Sequence, residues 1–137
     1  MIREDKMLLI KDLSSRLPYA VHVKHASGFS GTLHDIVIHH KYDENDNIYD
    51  AICYTDFFGD DDNITIEHFK PYLFPLSSMT EEQKMELMEL MYKVDTPFGA
   101  IFSENIDYFD WLDKNHFDYR GLIPMGLAID ATDKKIY

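Results

Sequence analysis

The chain is poor in cysteine, in positive charge and in long apolar runs, and each shortage removes a class of protein. One cysteine, Cys53, in 137 residues excludes a disulfide framework and any cysteine-built zinc site. It lies in Ala51-Ile52-Cys53-Tyr54, an apolar stretch with acidic neighbours, and reads as a small buried hydrophobe rather than a nucleophile. The apolar runs are only a few residues long, too short to span a bilayer. Met7 to Ile10 is likewise too short for a signal-peptide core, so the cytoplasm is the expected location. Thirteen Lys and Arg stand against 25 Asp and Glu, for a net charge of −12. Both halves share it: residues 1–76 hold 7 basic and 13 acidic residues, and residues 77–137 hold 6 and 12. Without a basic stripe, nucleic acid is not an expected partner. A basic protein partner suits the charge, and so does a role in solubility alone.

Catalytic signatures are missing too. The sequence holds no HxH or HExxH spacing, no GxSxG elbow and no phosphate-binding glycine loop, so no cofactor is expected. With 25 acids, paired carboxylates are always available on paper, and their number alone identifies no cleft.

What is present is a change of pattern along the chain. Leu9, Leu13 and Leu17 recur every four residues as one stripe of a short helix, which Pro18 ends. From Tyr19 to His25 the pattern alternates, Ser27-Gly28 reads as a turn, and Phe29 to His40 reads as a longer strand. Gly31 marks a bulge or bend in that strand, as needed where one strand serves two sheets. Ile48 to Thr55 is a third strand, and alternation restarts at Ile64-Thr65-Ile66 and runs towards Tyr72. Beyond it, Thr80-Glu81-Glu82-Gln83 fits a capping box. Leu87, Leu90, Met91 and Val94 form a helical stripe that Met85, Met88 and Tyr92 widen, which predicts packing on more than one side. Pro97-Phe98-Gly99 breaks this helix.

Ser103 is placed to cap a second helix over Glu104 to about Asn115, with Tyr108, Phe109 and Leu112 inward and Ile106 and Trp111 marginal. Asp107, Asp110 and Asp113 read as its solvated edge, and Leu127-Ala128-Ile129 as a short strand. The expected fold is α+β: an N-terminal helix, a small SH3-like or Sm-like bent β-barrel of about five strands, and two C-terminal helices packed against it. All 137 residues form one expected domain, with helix and barrel in 1–76 and the helical part in 77–137. The barrel residues Val21, Val23, Leu33, Ile36, Ile52, Ile64 and Ile66 are expected to share one continuous core with the helical stripes.

Two long strings carry a resemblance. They are Lys70-Pro71-Tyr72-Leu73-Phe74-Pro75-Leu76-Ser77-Ser78-Met79-Thr80-Glu81-Glu82-Gln83 and Asp110-Trp111-Leu112-Asp113-Lys114-Asn115-His116-Phe117-Asp118-Tyr119-Arg120-Gly121-Leu122-Ile123. With Lys11-Asp12-Leu13, Leu17-Pro18-Tyr19 and Gly31 to Ile36, they resemble a family of small acidic proteins from gut anaerobic bacteria, their phages and mobile elements. That family brings no assigned activity, so the resemblance implies no catalytic residues.

Three groups of residues remain as site candidates. Trp111, His116, Phe117, Tyr119 and Arg120 lie within ten positions and are of types that anchor protein interfaces. The alternative is structural, with Trp111 and Phe117 packing helices, Tyr119 bonding a backbone group and Arg120 pairing with an acid. Of seven histidines, five (His22, His34, His39, His40 and His68) fall on or near strands. His22 and His34 could meet across the first hairpin with Asp35 or Glu67 as a metal site. The acidic turns Asp43 to Asn47 and Asp60 to Asp62 offer oxygen ligands, but Ile48 and Tyr54 stand where an EF-hand needs Gly and Glu. The leading expectation is a non-enzymatic accessory protein of a phage or mobile element that binds another protein, a basic one being the partner that suits the charge. The alternatives are a small metal-dependent hydrolase using histidine and aspartate residues of the barrel, and a nucleic-acid-binding barrel, which the charge opposes.

Overall fold

A computed structural model describes residues 1–43, 46–56, 64–92 and 108–137, with residues 39–43, 46–49, 91 and 92 described by their backbone alone. In chain order come α1 (Arg3–Arg16), β1 (His22–His25), β2 (Ser30–Asp43), β3 (Asp46–Thr55), β4 (Phe69–Pro75) and α2 (Glu81–Tyr92). A helical segment, α3, follows over residues 108–114, then β5 (Phe117–Asp118) and β6 (Ile129–Asp130). The fold is α+β, as expected. The strands run in the order β3-β2-β1-β4-β5, with β6 also on β4. The pairs among β1 to β4 are antiparallel, and β5 and β6 join β4 in parallel. Among the described residues no ladder links β3 to β5, so the pairing shows an open mixed sheet without the closure a barrel requires.

Local chemistry explains most element boundaries. Leu9 and Leu13 of the expected stripe are fully buried on α1, while Leu17 is only half-buried. Pro18 stops the helix by removing a donor, and Leu17–Tyr19 tighten into a 3-10 turn. Ala20 then takes a left-handed conformation (φ 54°), so β1 starts at His22 rather than at Tyr19. Gly28, at φ 106°, lets the chain reverse into β2. The long strand does serve two neighbours: its first residues pair with β1 and the rest with β3. Its irregularity falls between Leu33 and Asp35, however, and not at Gly31, which pairs regularly with Val23. The alternation from Ile64 is interrupted as well. Thr65 makes an isolated bridge to Ile52 and Ile66–His68 form a 3-10 turn before β4 begins.

Strand β4 organises the packing. Leu73 belongs to one buried cluster and its neighbour Phe74 lines another, because successive strand residues point to opposite faces. The first cluster joins Leu9 and Leu13 to Val21, Val23, Leu33, Cys53, Ile66 and Phe69. The second holds Leu87, Trp111, Leu112 and Phe117. Among the described residues, the expected single core is thus two clusters that share a strand. Of the expected barrel residues, Ile36, Ile52 and Ile64 are only half-buried. No helix among the described residues is long and apolar enough to cross a membrane.

Candidate functional site

Helix α1 and residues 113–120 meet through a cluster of buried charges. Asp12 and Arg16 sit one turn apart beside Leu9 and Leu13, and both are fully buried. Arg16 Nε donates to Asp12 Oδ2 at 2.9 Å, and its Nη2 donates to the Phe117 carbonyl at 2.6 Å. Arg120 Nη1 donates to the other Asp12 oxygen at 2.8 Å and to Ser15 Oγ at 3.2 Å. Asp113 closes the group: it accepts from the Tyr119 hydroxyl at 2.8 Å and lies 3.9 Å from both Arg16 and Arg120. Burial pushes its carboxyl above the ordinary range, against the opposing pull of Tyr119 and the two guanidiniums. Two carboxylates face two guanidiniums, so the cluster is neutral as a whole. Nearby, Asp118 accepts from the backbone N–H groups of Leu122 and Ile123, both at 2.9 Å, fixing the turn that follows β5.

The five aromatic and basic candidates belong to this interior. Trp111 is 7% exposed and Phe117 2%, and their rings stack at 5.7 Å. The Trp111 indole donates to Glu86 of α2 at 3.0 Å, which docks the two helices. Tyr119 bonds the Asp113 carboxylate rather than a backbone group, and its ring lies 4.4 Å from the Arg120 guanidinium carbon. Burial and the neighbouring Asp113 push its hydroxyl up to about 12. His116, 8% exposed and at φ 62°, stacks on the Tyr137 ring at 3.6 Å. Burial, and then Arg16 and His22, hold its pKa down at about 4. Its Nδ1 is buried without a partner among the described residues, so a proton there would add an uncompensated charge. Only Tyr119 and Arg120 of the five remain half-exposed.

This arrangement corrects the expected faces of α3. Asp110 is exposed, but Asp113 is drawn inside by the arginines instead of lying on a solvated edge. Trp111, expected at the margin, is buried, while Phe109, expected inward, is 47% exposed. Asp107, Ile106 and the Ser103 cap lie outside the described residues.

Among the described residues, His22 and His34 are not part of a group placed to hold a metal. His22 pairs with Thr32 in the β1–β2 ladder, its Nδ1 lies 3.3 Å from Thr32 Oγ1, and its ring lies 5.0 Å from that of Tyr137. His34 is exposed at the irregularity of β2. Of the acids considered with them, Asp35 accepts from the Ile36 N–H, and Glu67 is held by Thr65 and Lys6. Among the described residues no group of three or more His, Cys, Asp or Glu is placed to hold a metal. The side chains of the Asp43–Asn47 turn, the Asp60–Asp62 turn, His39 and His40 lie outside the described residues. Cys53 is buried, and burial pushes its thiol up to about 12, so it is no nucleophile at neutral pH.

Helix α2 supplies the surface that pattern reading misplaced. Its capping box closes in both directions: Gln83 N donates to Thr80 Oγ1 at 3.1 Å, and Thr80 N donates to Gln83 Oε1 at 2.9 Å. Leu87 and Leu90 turn towards the second cluster. Met85 and Met88, expected to widen that stripe, are instead 64% and 54% exposed on the opposite side. Glu81 and Glu89 stand one turn before and after Met85. The signal was present in the sequence as glutamates four residues either side of a methionine. Compared with protein-family models, with curated proteins and with solved structures, the chain matches none of them.

Proposed function

We propose that this protein is a non-enzymatic, protein-binding accessory module, of the kind that its resemblance to proteins of phages and mobile elements implies. The contact surface is the outer face of α2, and its occupant is a basic amphipathic segment of another protein. The observation that carries this reading is the pair Met85 and Met88, 64% and 54% exposed on a helix whose inner face is already packed. Methionine has three rotatable bonds and a polarisable sulfur, so it adapts to varied apolar partners. Glu81, Glu82 and Glu89 are exposed around the pair; Lys84 offsets Glu81 at 3.1 Å, which leaves Glu82 and Glu89 as the acids facing a partner, and the chain as a whole carries −12. An apolar strip between acids complements a helix with leucines on one face and lysines beside them.

The test uses a Leu/Lys amphipathic model peptide and its Leu/Glu counterpart, titrated calorimetrically against the wild type and the M85Q/M88Q double variant. The wild type is expected to bind the Leu/Lys peptide, more weakly as salt rises. The double variant should bind it at least about tenfold less tightly, with unfolding unchanged because both side chains are exposed. Equal binding by wild type and variant would show only general attraction to an acidic protein, and would end this reading.

A further inference from the structure

A second surface has the opposite charge. In the antiparallel register of β1 and β4, Lys24 stands directly opposite Lys70, and both are exposed. Like charges directly opposite each other in a sheet are destabilising. Neither lysine pairs with a carboxylate of a described residue. They border a pocket of about 320 Å³ whose other walls include His25, His68, Glu67 and Ile129.

The acid in this pocket is already engaged. Glu67 lies 3.5 Å from Lys6 Nζ and 3.7 Å from His68 Nε2, and it accepts from Thr65 Oγ1 at 3.3 Å. Lys6 also lies 3.7 Å from Asp50, so the charge of Glu67 is offset only in part, and the two lysines still outnumber this single carboxylate of the pocket. The His25 and His68 rings lie 6.0 Å apart. The backbone N–H of Ser27 donates to His25 Nδ1 at 3.1 Å, and Ser27 Oγ lies 2.7 Å from the same nitrogen.

We propose that this pocket binds the phosphate group of a small phosphomonoester. Two ammonium groups on flexible stems suit a compact dianion. Ile129 offers an apolar wall to the rest of the molecule. The volume of about 320 Å³ lies at the small end of ligand sites, which run from about 300 to 1,000 Å³, and so favours a few heavy atoms beyond the phosphate over a dinucleotide. Net repulsion from a chain of −12 demands such a local concentration of positive charge if an anion is to be held at all. The site is separate from the α2 face and does not depend on the reading given to it.

The experiment is an amide-shift titration with glycerol 3-phosphate, inorganic phosphate and succinate, on the wild type and on the K24Q/K70Q and K11Q variants. Saturable shifts centred on residues 24–26 and 68–70, strongest for glycerol 3-phosphate, are expected. Binding should weaken by about tenfold or more in K24Q/K70Q and stay unchanged in K11Q, which removes an exposed lysine of α1. The proposal is overturned if K24Q/K70Q binds as the wild type does, if K11Q weakens binding equally, or if no shift saturates. Tighter binding of inorganic phosphate or succinate overturns the monoester assignment.

Discussion

Asp12, Arg16, Asp113 and Arg120 are packed between α1 and residues 113–120 with each charge facing an opposite one, whereas Lys24 and Lys70 share one exposed face of the sheet with like charges abreast. Taking Asp12, Arg16 and Asp113 out of water is costly, and only mutual pairing and hydrogen bonds, including those of the less buried Arg120, offset it. The seam consequently has little freedom to bind anything else, and its role is to lock α1 onto the end of α3, onto β5 and onto the turn after it. The lysine pair has no such constraint. It stabilises nothing visible and keeps its donors facing solvent, which is what a ligand site needs and a scaffold does not. Burial with pairing and exposure without pairing thus separate structural from functional charge in one small protein.

Breaking the seam should produce the largest effect. Arg16→Met removes the guanidinium that joins Asp12, Asp113 and the Phe117 carbonyl, and leaves two buried carboxylates with Arg120 alone. A loss of about 3–5 kcal/mol is expected, read as a lower midpoint in urea unfolding at unchanged slope. A loss below about 1 kcal/mol would mean that the seam behaves like a surface pair and that the contrast fails.

His116 gives a smaller effect with a defined pH window. Its ordinary pKa of 6.5 is held down at about 4 in the folded protein, by burial first and then by Arg16 and His22. The unfolded chain therefore binds the proton more readily, and stability falls as pH drops from about 6.5 towards about 4. The contribution is about 1–3 kcal/mol across that window. His116→Asn keeps the left-handed backbone, which asparagine tolerates, and removes the titration. Its stability should be flatter than that of the wild type through the window; parallel curves would remove His116 from the account.

Legibility in the sequence followed range. Leu9 and Leu13, the Thr80–Gln83 capping box, the Ser27-Gly28 turn and the burial of Cys53 all follow from residues within one turn or one strand, and all were readable. The seam pairs Asp12 with Arg120 across 108 positions, and no periodicity announces such a partner. Asp113 therefore looked like one more solvated acid, although Asp12 and Arg16 at helical spacing beside two buried leucines were a clue that something polar would be covered. The same holds for β5, two residues long and defined wholly by its pairing with Phe74 and Pro75. Met85 and Met88 were misplaced for another reason. Hydrophobicity alone assigns them to the packed stripe, while the angle around the helix turns them about 100–160° away from Leu87 and Leu90.

The smallest expected effect bears most directly on the comparison. Lys70→Gln relieves the repulsion from Lys24 across the ladder and breaks no ion pair with a described residue. It should change stability by less than about 0.5 kcal/mol, in the stabilising direction. Arg16→Met and Lys70→Gln each delete one positive charge from the same acidic protein, so a net-charge effect would move both alike. Opposite signs would show that position in the fold, and not total charge, decides what each cation does. Adding glycerol 3-phosphate should then raise the Tm of the wild type and not that of the Lys70 variant, because a ligand stabilises only the form that binds it. If Lys70→Gln instead destabilised the protein as Arg16→Met does, the lysine pair would be structural after all.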